Sequence, residues 1–114
     1  MDPRERRVYE RVPFFRPVDL SVPPDAPSIE ARSFDVSLGG VGLAVPAGRA
    51  VPVGTAVAVT FHLTDRRRGA FDERILGRVV HARSEADCTR VGIEFAEPVH
   101  PSAYPGLSRV IGQL

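Results

Sequence analysis

The chain has 114 residues, a length suited to one domain, and its 43% hydrophobic and 25% charged content excludes wholesale disorder. A formal net charge of +1 predicts no avid bulk attraction to nucleic acid or to a membrane surface. No apolar run approaches the ~18 residues of a membrane span, and the charged N-terminus lacks the apolar core of a secretory signal. A single cysteine, Cys88, rules out an internal disulfide or a cysteine-based metal cluster, so the expected compartment is the cytoplasm.

The first residues differ from the rest. Arginine dominates them, and Val8, Tyr9 and Val12 are the only sizeable apolar groups between Met1 and Pro13. Residues 1–12 are therefore expected to form a flexible arginine-rich arm, with the folded domain filling residues 13–114. Beyond Pro13, short apolar stretches alternate with period two: Val18, Leu20 and Val22; then Val41, Leu43 and Val45; then Val57, Val59, Phe61 and Leu63; then Val91, Ile93 and Phe95. Each such pattern puts one side of a strand in a core and the other in water. Ile29 to Phe34 and Arg74 to Arg83 read as two further, less regular strands. Breakers fall between them at Pro23-Pro24-Asp25, Leu38-Gly39-Gly40, Pro46 to Gly54, Asp65 to Asp72 and Ser84 to Thr89. About six short strands without intervening helical patterns suggest an all-β sandwich or small barrel. The period then changes: Leu107, Val110, Ile111 and Leu114 fall at helical spacing, with Ser102 as an upstream cap, predicting a short amphipathic C-terminal helix.

No catalytic constellation assembles, so a non-enzymatic protein is expected. His62, His81 and His100 stand about twenty residues apart, in no metal-ligand spacing. Cys88, in the loop-like stretch Ala86-Asp87-Cys88-Thr89, reads as an inert thiol. Nucleophile elbow, phosphate-cradling glycine loop and dinucleotide fingerprint are all missing.

Two motifs remain. Arg7 and Arg11 make an Arg-x-x-x-Arg spacing with Arg6 immediately before it. All 15 basic residues are arginine, so this spacing alone is weak, and a second instance occurs at Arg74 and Arg78. Asp35, Ser37 and Gly40 make an Asp-x-Ser-x-x-Gly, for which chance predicts only about 0.04 matches in a chain of this composition. As local structure the second motif reads as a hairpin turn, in which Asp35 and Ser37 bond neighbouring amides and Gly39-Gly40 takes positive φ.

The two motifs together, about two dozen residues apart, resemble the PilZ domain family, and the likeness extends through Val91-Gly92-Ile93-Glu94-Phe95 to the closing helix. The resemblance implies a six-stranded antiparallel PilZ-type β-barrel with a short C-terminal helix. It also implies a receptor for the bacterial second messenger cyclic di-GMP, with no other cofactor. By position, Arg6, Arg7 and Arg11 on the arm, and Asp35, Ser37, Gly39 and Gly40 at the turn, would hold the nucleotide. Where some members carry an aromatic residue on the fifth strand, this chain has His81.

The chemistry suits these assignments. A guanidinium bonds a phosphate bidentately, or the O6 and N7 acceptors of guanine, and it stacks on a purine. An ionised aspartate accepts from guanine's N1–H and amino group, and a serine hydroxyl adds a further bond. A glycine lets a ligand approach the backbone. The expected mechanism is an arm that orders over the nucleotide and so changes a surface read by an unidentified downstream protein. Two other functions are compatible with the sequence: a PilZ-like interaction adaptor that does not bind the nucleotide, and a small barrel that binds nucleic acid through Arg66-Arg67-Arg68 and the arm. The even charge and an aromatic content of only 7% speak against a nucleic-acid polymer.

Overall fold

The computed structural model describes residues 10–49 and 51–112. Six strands form one closed antiparallel barrel: β1 (Val12–Ser21), β2 (Ile29–Val36), β3 (Gly40–Pro46), β4 (Ala56–Asp65), β5 (Gly69–Ser84) and β6 (Cys88–Phe95). The order around the barrel is β1-β2-β3-β6-β5-β4, and the β1–β4 ladder, with Val18 opposite Phe61 and Leu20 opposite Val59, closes it. Each strand is paired on both sides over part of its length, while the first part of β1 and residues 69–76 of β5 run beyond the β1–β4 and β5–β6 ladders. A six-residue helix, α1 (Pro105–Val110), follows β6.

The period-two residues become the core. Val18, Leu20, Val41, Leu43, Val45, Val57, Val59, Phe61 and Val91 are fully buried. Phe61 sits at the centre, 6.2 Å from the Phe14 ring and 6.4 Å edge-on from Phe95. Helix α1 packs on the barrel core through Leu107, joined by its C-cap residue Ile111, and burying a leucine as fully as Leu107 contributes roughly 1.5–3 kcal/mol.

Several elements depart from the sequence expectations. The first strand begins at Val12 instead of Val18, so Val12 belongs to the barrel wall. The break expected over Asp65 to Asp72 is only the turn Arg66–Arg68, because Gly69 (φ 71°) lets β5 start opposite Asp65. Strand β6 starts at Cys88, so that cysteine opens a strand and does not lie in a loop. Ser102 does not cap the helix. Its hydroxyl lies 2.7 Å from His100 Nδ1, and Tyr104 occupies the N-cap without a side-chain bond. The buried carboxylate of Glu73 on β5 replaces the cap, accepting the Gly106 and Leu107 amides at 2.8 Å each. Leu114 lies outside the described residues.

Irregularities in three ladders matter for what the outer wall displays. Between Pro13 and Arg16, β1 carries one residue more than β2. The Ser33 hydroxyl ties that bulge together, donating to the Phe14 carbonyl at 2.6 Å and accepting the Arg16 amide at 3.2 Å. In the β2–β3 ladder Ser33 pairs Leu43 while Asp35 pairs Gly42, so Phe34 is the extra residue. In the β5–β6 ladder Val79 pairs Ile93 while His81 pairs Gly92, which makes Val80 the extra residue.

Candidate ligand-binding site

The β2 bulge decides where Asp35 points. Ala31 and Ser33 face the interior, and strict alternation would send Asp35 inward and Val36 outward. The additional residue reverses this: Phe34 and Asp35 are both partly exposed on the outer wall, and Val36 is fully buried. Asp35 Oδ1 accepts the Gly42 amide at 3.1 Å and the Arg11 Nη1–H at 2.8 Å. Arg11 and Asp35 thus meet across 24 positions of sequence, directly before β1 and near the end of β2. Their side chains are 54% and 25% exposed, which leaves the pair open to water and to competition.

The Ser37–Gly40 turn joins β2 to β3. The Ser37 amide donates to the Gly40 carbonyl at 2.8 Å, and the Ser37 hydroxyl accepts the Gly39 amide at 3.1 Å. Ser37 is only 3% exposed, so its hydroxyl serves the turn. The turn is anchored from β6 and beyond, with Phe95 N–H on the Gly39 carbonyl at 2.9 Å and Val99 N–H on the Leu38 carbonyl at 2.7 Å. Gly39 and Gly40 do not adopt the positive φ expected of them; that conformation occurs at Gly48, Gly54, Gly69 and Gly112. The requirement at Gly40 is steric instead, because a Cβ there would strike the Ile93 carbonyl of β6. Its missing side chain serves strand contact.

Strand register continues the site sideways. Asp35, Gly42, Gly92 and His81 lie opposite one another on β2, β3, β6 and β5. Both glycines point outward between inward-facing neighbours, and each is covered by a ring. The Phe34 ring lies where a Gly42 Cβ would sit, and the His81 ring lies where a Gly92 Cβ would sit. The Arg90 guanidinium stacks over Phe34, 4.7 Å from its centroid. The outer wall beside Asp35 is therefore a row of flat groups, of which His81 and Arg90 carry hydrogen-bonding nitrogens. Phe34, Gly42, Arg90 and Gly92 are absent from the motif-based site. Their one signal in the sequence is glycine at two outward positions of otherwise regular strands.

Of the expected site residues, the structure brings Arg11 to Asp35 and places Asp35, Ser37, Gly39 and Gly40 in one turn region. Arg6 and Arg7 lie outside the described residues. Among the described residues no group of three or more His, Cys, Asp or Glu side chains is arranged to hold a metal ion. None of their helices is long and apolar enough to cross a membrane.

Comparison with known proteins agrees with this architecture. In Bacillus subtilis, the inhibitor of motility MotI/DgrA superposes with a TM-score of 0.74 at 19% identity, covering 99% of this chain; the chain spans only 56% of that protein. The PilZ domain of YcgR from Escherichia coli, solved with c-di-GMP, superposes with a TM-score of 0.68 at 19% identity, covering 96% of this chain and 91% of that one. A further YcgR structure in complex with c-di-GMP gives a TM-score of 0.57 at 21% identity over 95% of this chain and 45% of that one. No curated protein matches the sequence. These likenesses establish the fold. The sequence profile described as PilZ domain matches residues 5–111, nearly the whole length, and with the closed barrel and the two motifs it shows that the chain belongs to the PilZ domain family.

Proposed function

We propose that the chain is a cyclic di-GMP receptor that acts as an adaptor, with Arg11 and Asp35 at the centre of its site. The observation that carries this reading is the bulge-directed Asp35 carboxylate on the outer wall, bridged by Arg11 beside a row floored by Gly42 and Gly92. Support comes from the c-di-GMP held by the YcgR domain of the same fold.

In this reading Arg11 leaves Asp35, or shares it, when the ligand arrives. The guanidinium turns to a phosphate or to guanine O6 and N7, and Asp35 receives guanine's N1–H and amino donors. Arg6 and Arg7 add cationic forks from the arm. Ser37, Gly39 and Gly40 hold the turn that presents Asp35. The His81 ring and the Arg90 guanidinium, which itself lies over Phe34, offer stacking surface to a purine. Ordering the arm costs free energy, so a moderate, micromolar affinity is expected, and the changed position of the arm is the signal passed to a downstream protein.

Isothermal titration with cyclic di-GMP is the test. Saturable binding that is lost in the Arg7→Ala, Arg11→Ala double variant supports the reading, and undiminished binding by that variant refutes it. The second reading, an adaptor without the nucleotide, has the exposed Phe15 (71%) of β1 on its side, and it predicts no heat.

A further inference from the structure

Elsewhere on the barrel lies a cleft with different chemistry. It is bounded by β1, the β4–β5 hairpin and α1, with an apolar floor of Leu63, Phe71 and Val110 and with Arg16 and Arg109 at its mouth. Its volume is about 120 Å³, well under the roughly 300–1,000 Å³ of ordinary small-molecule pockets and suited to a single inserted side chain. Gly106 lets the start of α1 pack closely against the hairpin at one side of the cleft, since a Cβ there would fall 2.7 Å from Leu63 and from the Phe71 ring.

The surroundings are cationic. Arg66, Arg67 and Arg68 are exposed on the adjoining turn. Arg109 reaches Asp65 at 2.7 Å yet remains 68% exposed. Arg16 is exposed and forms no ion pair among the described residues. Two acids lie close, and both are engaged. Asp65 accepts the backbone amides of Arg67 and Arg68 as well as the Arg109 guanidinium, and Glu73 is buried on the helix amides. The local field is therefore positive around an apolar slot.

We propose that this cleft docks an acidic segment of a partner protein, one aliphatic side chain filling the slot while flanking carboxylates meet Arg16 and Arg109. A buried apolar anchor within a rim of opposite charge is the usual anatomy of a small interaction site. Nucleic acid fits less well. The one aromatic ring in the cleft, Phe71, is already covered by the Arg68 guanidinium at 4.0 Å, which leaves no open stacking platform, and a base is larger than the slot. The proposal does not depend on nucleotide binding by Arg11 and Asp35.

The test is an amide NMR titration of the full chain, without nucleotide, using the blocked peptide Glu-Glu-Leu-Glu-Glu and its Glu-Glu-Ser-Glu-Glu counterpart. The leucine peptide is expected to shift the amides of Leu63, Thr64, Gly106 and Val110, and to bind at least about 5-fold tighter than the serine peptide. Arg109→Glu should weaken it by a similar factor. Arg16→Glu should do the same while leaving the Arg109–Asp65 pair in place, so a folding defect in the first variant does not blur the outcome. Equal binding of the two peptides, shifts confined to Arg66–Arg68, no shifts at all, or displacement of the leucine peptide by a single-stranded oligonucleotide would each overturn the proposal.

Discussion

Replacing Arg11 with alanine separates what its guanidinium does for the fold from what it does for a ligand. The Arg11–Asp35 contact is short, 2.8 Å, but the arginine side chain is 54% exposed. Exposed pairs of this kind contribute about 0.2–1 kcal/mol, because water and salt screen them and ordering a long side chain offsets part of the gain. Arg11→Ala should therefore lower the unfolding free energy by less than ~1 kcal/mol, a melting shift of under about 6 °C for a chain of this size. Losing a bidentate contact to phosphate or guanine costs more, ~1–3 kcal/mol, or about 5- to 150-fold in affinity. Arg11→Lys keeps the charge but not the planar fork, so it should restore stability and little of the binding. Asp35→Asn is the companion: its side-chain oxygen still accepts the Gly42 amide, while the charge that attracts Arg11 is gone. Urea unfolding gives the first quantity and isothermal titration with cyclic di-GMP the second. A stability loss above about 2 kcal/mol with affinity unchanged would mean that the pair is structural and that the ligand reading of Arg11 is wrong.

Three further outcomes are expected. Glu73→Ala leaves the Gly106 and Leu107 amides without their acceptor under a buried helix end, so it should cost about 2–4 kcal/mol by urea unfolding; a cost below about 0.5 kcal/mol would show that α1 does not depend on that carboxylate. The pKa of His62 is raised above 6.5 by its hydrogen bond to Asp72 at 2.8 Å, with Asp19 at 3.0 Å on the other ring nitrogen. The pairing therefore stabilises the fold below the unfolded-state pKa, and that contribution is lost as pH rises through the folded-state pKa. The side chain is 44% exposed, so the fall should be under ~1 kcal/mol, and it should vanish in His62→Gln when stability is followed from about pH 6 to pH 8. Gly40→Ala forces a Cβ into the Ile93 carbonyl and should cost ~1–3 kcal/mol in thermal unfolding, whereas a neutral result would show that the β3–β6 contact does not require a glycine there.

Much of the barrel is legible in the sequence because most of its strands obey strict alternation. Val41, Leu43 and Val45, or Val57 through Leu63, need no knowledge of their neighbours to declare which side is buried. The parts that are not legible depend on partners far away in the chain. Ser102 looks like a helix cap from local pattern alone, but Glu73 takes that role from 33 and 34 residues upstream of the amides it accepts. The long β5 escapes a local reading because Gly69, at positive φ, turns what looks like a broad break into a tight hairpin. For the candidate site, the motif residues Asp35, Ser37 and Gly40 are visible as a spacing, yet the direction of Asp35 is not. Alternation from Ala31 and Ser33 points the carboxylate into the core, and the only local warning is that apolar Val36 would then face water.

The bulges and the glycines explain one another. An added residue in β2 places two consecutive side chains, Phe34 and Asp35, on the same side of the wall, where a regular strand offers room for one. That crowding is relieved only because the residue opposite, Gly42, has no side chain; a Cβ there would lie 2.6 Å from the Phe34 ring and 2.8 Å from Asp35 Oδ1. The β5 bulge repeats the arrangement, with Val80 and His81 both outward and Gly92 opposite, under the His81 ring. Neither glycine is at positive φ, so backbone freedom is not what these positions need. Each supplies space on one strand for an extra outward group on the next. The consequence is testable at Gly42. Gly42→Ala must push Phe34 off the wall or drag Asp35 away from Arg11, and either movement should weaken nucleotide binding beyond what the stability loss explains. If Gly42→Ala binds cyclic di-GMP as the unaltered chain does, the row from Asp35 to His81 is scaffolding and the ligand lies elsewhere.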